Sequence, residues 1–472
     1  MNGKQVLIPE SEMQRQRDLE SELRLRFESE GKRPLAFVDT YGCQQNEADS
    51  EHLRGMLSRM GYGEASGPEE ADVIVINTCA IREHAEQRVF GNVGALVHSK
   101  RVKPDQIIAL CGCMMQRGET AERIRRSFRH VDLVFGTHAL WRFPELLYRV
   151  IGQRERVFEI PESDGSIAEG LPVLRSGGSK AWVSIMYGCN NFCSYCVVPY
   201  VRGRERSREL PCVLEEIRGL VDSGYKDITL LGQNVNSYGR DLGREDFSEL
   251  LRLAGEIPGD FWLRFMTSHP KDASPRLFET MAGSPRVEKH LHLPFQSGSS
   301  RVLSAMNRGY TREHYLSLIE EAKRAMPDLV LTSDVIVGFP GETEAEFEET
   351  LDLVREVRYD ALFTFLFSPR PGTPASRLPD PVPKEEKQRR FASLVDLQNE
   401  ISAEKHAAYV GKRVRVLVDG LSRDERFDLT ARTNGGRLVH LRGDESRLGT
   451  FAEAEITGSS TWSLFGTISE GG

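Results

Sequence analysis

A strand–helix alternation running through most of the 472 residues constrains this chain more than any other feature. Apolar runs Leu35–Val38, Val73–Ile76, Ile107–Leu110 and Val131–Phe135 are separated by helix-like stretches such as Glu47–Met60 and Glu83–Leu96. Such alternation folds as an open parallel sheet. The rhythm then restarts. Trp182–Met186, Ile228–Leu231, Phe261–Met266, His290–Leu293, Leu329–Val337 and Ala361–Phe367 are each followed by helical sequence. Leu210, Val213, Leu214, Ile217, Leu220 and Val221, for instance, recur at helical spacing. Six such repeats predict a partial (β/α)6 barrel, TIM-like but with fewer strands.

A third pattern follows Pro379, Pro381, Pro383 and the charged helical stretch Lys384–Lys405. The short runs Val414–Val418, Phe427–Ala431, Leu438–Leu441, Thr450–Ile456 and Ser463–Ile468 fit a small β-barrel. The expected architecture is α/β: a polar extension (1–33), an open parallel α/β sheet (34–150), a partial barrel (175–405) and a small terminal barrel (408–471). Ser163–Ser179, rich in Gly and Ser, reads as a linker, and Ser11–Glu30 fits a charged helix or disorder equally well.

Composition narrows the function classes. Hydrophobic residues make up 39% of the chain, enough for real cores. No apolar run approaches the ~18 residues of a membrane span. The start lacks a secretory h-region, so the expected compartment is the cytoplasm. There, eight cysteines read as metal ligands rather than disulfides. A net charge of −8 excludes a protein that grips nucleic acid through its overall field, but leaves room for local basic clusters. The terminal barrel is balanced: from Ala408 onward, nine Lys and Arg face nine Asp and Glu.

Chemistry-bearing residues gather where strands stop. In Tyr187-Gly188-Cys189-Asn190-Asn191-Phe192-Cys193-Ser194-Tyr195-Cys196, three thiols share one loop after a strand. Cys189, Cys193 and Cys196 cannot complete the four-cysteine shell of an ordinary [4Fe-4S] cluster, so one iron stays open to a substrate. A zinc knuckle would need a fourth ligand and favours paired C-x2-C spacing. Three strands of the first sheet also end in cysteine: Thr40-Tyr41-Gly42-Cys43, Asn77-Thr78-Cys79 and Cys111-Gly112-Cys113. Carboxyl ends of parallel strands share the edge where open α/β sheets bind ligands. Buried cysteines are common as packing, yet three successive strand ends favour a second three-thiolate site of Cys43, Cys79 and Cys113. Cys111, two residues earlier on the same strand face, is expected to be packing.

The partial-barrel strands end in Gly232-Gln233-Asn234, Ser268-His269-Pro270, Gln296-Ser297-Gly298 and Gly338-Phe339-Pro340-Gly341-Glu342-Thr343. Singly these are turn chemistry. At four equivalent ends they mark a cofactor pocket on the face where barrel enzymes work. The candidate binding residues are Gly232, Gln233, Asn234, Ser268, Gln296, Asp334, Gly338 and Glu342, with Asp334 and Glu342 fitting a structural cap equally well. Arg202, Arg204, Arg206 and Arg208 fit either a phosphate contact or a solvated charge run.

From about Arg33 to the end, the chain resembles the radical-SAM (S-adenosylmethionine) methylthiotransferases. The resemblance rests on Cys43, Cys79 and Cys113 ahead of the Cys189-x3-Cys193-x2-Cys196 loop and a small barrel behind. Thr40-Tyr41-Gly42-Cys43-Gln44-Gln45-Asn46, Asn77-Thr78-Cys79-Ala80-Ile81-Arg82-Glu83-His84-Ala85 and the loop continuing through Val197-Val198-Pro199-Tyr200-Val201-Arg202-Gly203 are closest to the tRNA 2-methylthioadenosine synthase (MiaB-type) branch. The ribosomal-protein branch has an LGCPKN-like run at the first segment, and the threonylcarbamoyl-adenosine branch usually has Lys where this chain has Gln44. Gln45 and Ala80 depart from the commonest residues, Met and Ser.

The resemblance implies a methylthiotransferase N-terminal domain, a radical-SAM barrel and a TRAM barrel that contacts tRNA. It implies SAM and two [4Fe-4S] clusters, with Cys189, Cys193 and Cys196 catalytic at one and Cys43, Cys79 and Cys113 holding the other. The implied reaction replaces C–H by C–SCH3 at carbon 2 of N6-isopentenyladenosine, position 37 of the tRNA anticodon loop. A 5′-deoxyadenosyl radical starts it, and a second SAM supplies the methyl group. The expected partners are a low-potential electron donor such as flavodoxin or ferredoxin and a sulfur source, with the enzyme a monomer. The alternatives are another methylthiolation target (threonylcarbamoyl-adenosine tRNA or a ribosomal-protein aspartate) and a non-catalytic Fe–S sensor that binds RNA.

Overall fold

In the computed structural model, residues 6–80, 83–163, 165–175, 177–243 and 246–469 are described. Strands Leu35–Thr40 (β1), Gly63–Glu64 (β2), Val73–Thr78 (β3), Ile107–Gly112 (β4), Leu133–Phe135 (β5) and Val157–Glu159 (β6) form a parallel sheet in the order β2-β1-β3-β4-β5-β6. Every residue of β3 is buried, which is why Val73–Ile76 reads as a continuous apolar run rather than an alternating one. The edge strands β2 and β6 are too short to leave a period-2 signal, and sequence patterning misses both.

Helices cover both faces of this sheet. On one side Leu23 of Glu10–Ser29 (α1), Leu53, Met56 and Leu57 of Gln44–Arg59 (α2), and Leu146 and Leu147 of Phe143–Gln153 (α4) pack on Val75 and Phe135. On the other, Val89 and Val93 of Glu83–Val102 (α3) pack on Ile74, Ile76, Ile108 and Leu110. The polar extension therefore holds a docked helix. Its polar contacts explain why no apolar stripe announced it: Gln16 accepts from the Glu145 backbone N–H at 3.1 Å, and Glu22 accepts from the Tyr148 hydroxyl at 2.5 Å. Val6–Leu7 pairs with Ser166–Ile167, inside the expected linker. Together with Met186–Asn190 and Cys196–Ser207, Met1–Ser176 makes one compact unit.

The second unit comprises Gly177–Ile185, Asn191–Tyr195 and Arg208–Gly472. All six expected barrel strands are present: Lys180–Ser184 (β7), Asp227–Leu231 (β8), Trp262–Met266 (β9), His290–His292 (β10), Val330–Val337 (β11) and Ala361–Leu366 (β12). They form two parallel ladders, β9-β8-β7 and β10-β11-β12. Residues just before β10 join them: Leu263 donates to Arg286 O at 2.8 Å and accepts from the Glu288 N–H at 3.0 Å. Their carboxyl ends thus share one edge.

Five further strands of this unit, Arg413–Leu421 (β13), Leu429–Thr433 (β14), Leu438–Arg442 (β15), Phe451–Ser459 (β16) and Leu464–Ile468 (β17), close into a barrel in the order β13-β14-β15-β17-β16. Val416, Val418, Leu429, Ala431, Val439, Leu441, Ala454, Ile456 and Leu464 fill it. It is tied to the β/α part of its unit by the buried Arg437–Asp360 pair and by Trp262 edge-on to Phe451 at 4.7 Å. Among the described residues no helix is long and apolar enough to cross a membrane.

Candidate active site

In the first unit, Cys43 caps α2 just beyond β1, Cys79 follows β3 and Cys113 follows β4. Two asparagines clasp the first two positions together. The Asn46 side-chain amide donates to Asn77 Oδ1 at 3.0 Å and Thr78 O at 3.2 Å, and the Asn77 amide returns a bond to Asn46 O at 2.8 Å. Cys43-x-x-Asn46 and Asn77-x-Cys79 are thus one structural device, which sequence reading recorded only as wording. The third position depends on Gly112. Its φ is +93°, and a Cβ there would lie 2.4 Å from both Asn77 Oδ1 and Thr78 O. The left-handed turn breaks the strand alternation that would set Cys111 and Cys113 on one face. Cys111 joins the core around Val75 and Phe135, whereas Cys113 packs with Ala80, Val197 and Val201.

Electrostatics show that the three thiols share a neighbourhood. Burial pushes the Cys113 thiol up to about 12. Arg202 pulls it down, while Cys79, Cys43 and Asp49 add to the rise. Arg202, at the end of the short helix Val198–Arg202 (α5), donates from Nε to Cys113 Sγ at 3.1 Å and from Nη2 to Asp49 Oδ2 at 2.8 Å. Burial opposes its charge, but Asp49, Cys113 and Cys43 outweigh that and hold it raised. Among the described residues no group of three His, Cys, Asp or Glu stands closed around a common metal position. The donor set itself, three soft sulfur ligands at one sheet edge beside a fixed cation, fits an Fe–S cluster.

The Cys189–Cys196 loop is tethered at both ends. Met186–Tyr187 pairs antiparallel with Arg206–Ser207, and the Cys189 N–H donates to Gly203 O at 3.1 Å. Gly188 (φ +77°) is obligatory here, because a Cβ would lie 2.1 Å from Arg204 O. Cys189 and Cys196 belong to the first unit and Cys193 to the second. Within the second unit Asn307 Nδ2 donates to Phe192 O at 2.9 Å, and the Ser194 N–H donates to Met306 O at 2.8 Å. Arg308, buried, donates to Pro294 O at 2.7 Å and reaches Cys193 Sγ at 3.5 Å.

Along the carboxyl edge of β8 to β11, buried polar atoms accumulate without a hydrogen-bond partner among the described residues: Gln233 Oε1, Asn234 Oδ1, both side-chain atoms of Asn236, Ser268 Oγ, His269 Nε2 and Gln296 Oε1. Folding does not leave such atoms dry without a reason, since each costs about 1–3 kcal/mol. A polar ligand bound at this edge would pair with them. Gln296 also holds φ +68° while bridging β11 through Asp334 O and the Ile336 N–H. Asp334 is half-buried, 3.5 Å from His292 Nε2. Gly232 is spent on backbone bonds to Met266 and Thr267.

Glu342 serves the fold. Its carboxylate accepts from the Gly338 N–H at 2.8 Å and lies 3.6 Å from Arg390, and burial raises it to about 7 against those two influences. Of its two readings the cap is the one seen. Gly338 (φ +75°) is the turn that this cap closes. His269 and Arg308 were not singled out from sequence. A lone His in Ser268-His269-Pro270 carries no spacing signal, yet burial, then Arg308 and Lys271, bring its ring down to about 2. With Nδ1 accepting from the Lys271 N–H at 3.2 Å, Nε2 bears the hydrogen. The arginine run is neither a phosphate row nor a solvated face: Arg202, Arg206 and Arg208 are buried, and only Arg204 is exposed.

Comparison with known proteins decides the family. Residues 183–354 match the Radical SAM superfamily, 36–136 the uncharacterized protein family UPF0004 and 407–469 the TRAM domain. A tRNA-2-methylthio-N(6)-dimethylallyladenosine synthase of Acetivibrio thermocellus is 49% identical over 470 residues, 98% of each chain. The chain belongs to this synthase family. A synthase of Alkaliphilus oremlandii is likewise 49% identical over 98% of both chains, and that of Carboxydothermus hydrogenoformans is 48% identical over 92% of this chain and 98% of its own. Among solved structures, the radical S-adenosylmethionine methyltransferase TsrM of Kitasatospora setae shares the fold at TM-score 0.54 and 14% identity, over 72% of this chain and 75% of that one. The family read from the cysteine motifs is thereby borne out, and the synthase fold places those motifs at strand ends, as expected.

Proposed function

We propose that this enzyme converts N6-isopentenyladenosine at position 37 of tRNA to its 2-methylthio derivative. Family membership supports this reading, and one observation carries it at the site. A row of buried, unpartnered polar atoms lies in the same unit as Cys193, linked to it through Arg308 and through Tyr310, whose ring meets His269 at 5.7 Å. Cys189, Cys193 and Cys196 would hold a [4Fe-4S] cluster with an open iron, and Cys43, Cys79 and Cys113 a second. When bound, SAM and these clusters supply radical hydrogen removal, sulfur insertion and methyl transfer. An aromatic C–H offers no leaving group and no acidic proton, so acid–base residues cannot substitute for that chemistry.

The chain's own part is to bind and orient. Gln233, Asn234, Ser268 and Gln296 offer acceptors and a donor to the amino, carboxylate and ribose groups of SAM, and His269 offers a neutral N–H. Asp334 stands at the same edge. Arg308 compensates thiolate charge at Cys193. The anticodon loop is single-stranded and can present an unstacked base; the terminal barrel serves tRNA binding. Burying a five-carbon tail is worth roughly 0.8 kcal/mol per CH2, enough to separate prenylated from unmodified adenosine. The enzyme acts in the cytoplasm as a monomer, fed by flavodoxin or ferredoxin and a separate sulfur source.

Purified enzyme given SAM, a sulfur source and a low-potential reductant should methylthiolate isopentenyladenosine tRNA, read by nucleoside mass spectrometry, and act far more slowly on unprenylated tRNA. Equal rates would refute recognition of the tail. A methylthiolated ribosomal protein, with tRNA untouched, would refute the substrate. Reconstituted enzyme should bind about eight irons if both clusters are cubane. Replacing Cys189, Cys193 and Cys196 by Ala should halve that and end SAM cleavage.

A further inference from the structure

Arg202 is a buried arginine that donates to a sulfur and to a carboxylate at once. Its Nε reaches Cys113 Sγ at 3.1 Å and its Nη2 reaches Asp49 Oδ2 at 2.8 Å, so one planar fork bridges a thiol and a carboxylate. Asp49 lies on α2, the helix that Cys43 caps, and is itself held by Gln45 Nε2 at 3.3 Å. α5 carries Arg202 at its end, while Val201 of this helix and Val197 just before it pack on Ala80 and Cys113. The same short segment starts from Cys196. A 7%-exposed guanidinium facing a 10%-exposed carboxylate is a deliberate arrangement, because a buried cation is costly unless paired.

We propose that Arg202 is a positioning residue for the N-terminal cluster: it orients the Cys113 sulfur and, by hydrogen bond and charge, stabilises the reduced cluster. The inference rests on Cys43, Cys79 and Cys113 being cluster ligands. Hydrogen bonds to ligand sulfur and local charge set cluster potentials, and partners of this kind also govern how firmly the metal is held. Asp49 keeps the fork aimed. α5 makes the arrangement sensitive to its neighbour, since Cys196 and Arg202 sit at opposite ends of one short stretch.

The test uses the full chain with Cys189, Cys193 and Cys196 replaced by Ala, so that iron reports on the N-terminal cluster alone. Arg202→Met in that background should still bind iron. It should lower the midpoint potential by at least a tenfold change in the reduction equilibrium, about 59 mV for one electron, and speed iron loss to a chelator. Arg202→Lys, which keeps charge but cannot span both partners, should speed iron loss with a smaller potential shift. If Arg202→Met does not fold, the lysine variant decides: unchanged potential and unchanged iron release overturn the proposal. The same null result for a folded, iron-loaded Arg202→Met also overturns it. Absence of iron in the triple-alanine parent with Arg202 intact would instead remove the cluster assignment on which the proposal stands.

Discussion

Single residues fix this site more tightly than its motifs suggest. At Gly112, conformation and close packing forbid a side chain together. Gly112→Ala should cost about 2 kcal/mol or more, because the added carbon meets backbone and a clasping asparagine with no room to yield. Cys113 should shift with it, so anaerobic reconstitution should show iron loss along with a lower melting temperature. Full iron loading and a wild-type melt would show that the turn is dispensable. Glu288 makes a different point. It is 2% exposed, and burial raises its carboxyl to about 9, Arg264 opposing and Asp227 adding. Arg264 is shared, 2.9 Å from Asp227 and 3.3 Å from Glu288. The folded chain thus keeps a proton that the unfolded chain releases near 4.5. The stabilisation is complete below that pH and is lost as pH rises through about 9. Glu288→Gln should flatten this slope, gaining on the wild type between pH 5 and pH 9 in thermal melts; parallel pH profiles would contradict a buried neutral carboxyl.

Among the elements, α1 and the terminal barrel yield the clearest expectations. Leu23 is fully buried beneath α1, so Leu23→Ala should cost about 2–5 kcal/mol in denaturant unfolding. A loss under 0.5 kcal/mol would mean the helix is loosely held. The barrel is fastened by Arg437, and Arg437→Ala should cost on the order of 2–3 kcal/mol. That is below the usual penalty for orphaning a buried charge, because Lys405 remains 3.2 Å from Asp360. Unfolding melts of that variant read the loss; an unchanged melt would show that the barrel seats itself by apolar contact alone. These two elements also mark how far sequence reading reaches. β8 was visible because all five of its residues are buried and it reads as an apolar run, whereas β12 was visible from its apolar sequence although none of its six residues is buried. α1 was undecided because two of its four buried positions, Gln16 and Glu20, are polar and interrupt the apolar stripe of Met13 and Leu23. β2 and β6, at two and three residues, fall below any periodic signal.

At the scale of the whole molecule, the parallel strands carry cysteines and polar motifs at their carboxyl ends, and this placement is what made six cysteines and four polar motifs readable as candidates before any coordinates. It could not rank the motifs. Gly232 and Glu342 belong to the scaffold, while His269, Asn236 and Arg308 emerge only from burial and geometry, because a single His, Asn or Arg has no period or spacing to betray it. The unpartnered atoms at Gln233, Asn234, Asn236, Ser268, His269 and Gln296 have a further consequence. Among the described residues they have no partner, so the chain's own groups leave the cost of burying them uncompensated. A molecule that supplies the missing hydrogen bonds recovers that deficit by mass action, worth about 2.7 kcal/mol at a hundredfold excess over Kd. Heat resistance then becomes a gauge of occupancy. The melting temperature of the cluster-loaded enzyme should climb with SAM concentration, and replacing Ser268 by Ala should raise the melting temperature of the empty protein while shrinking the climb.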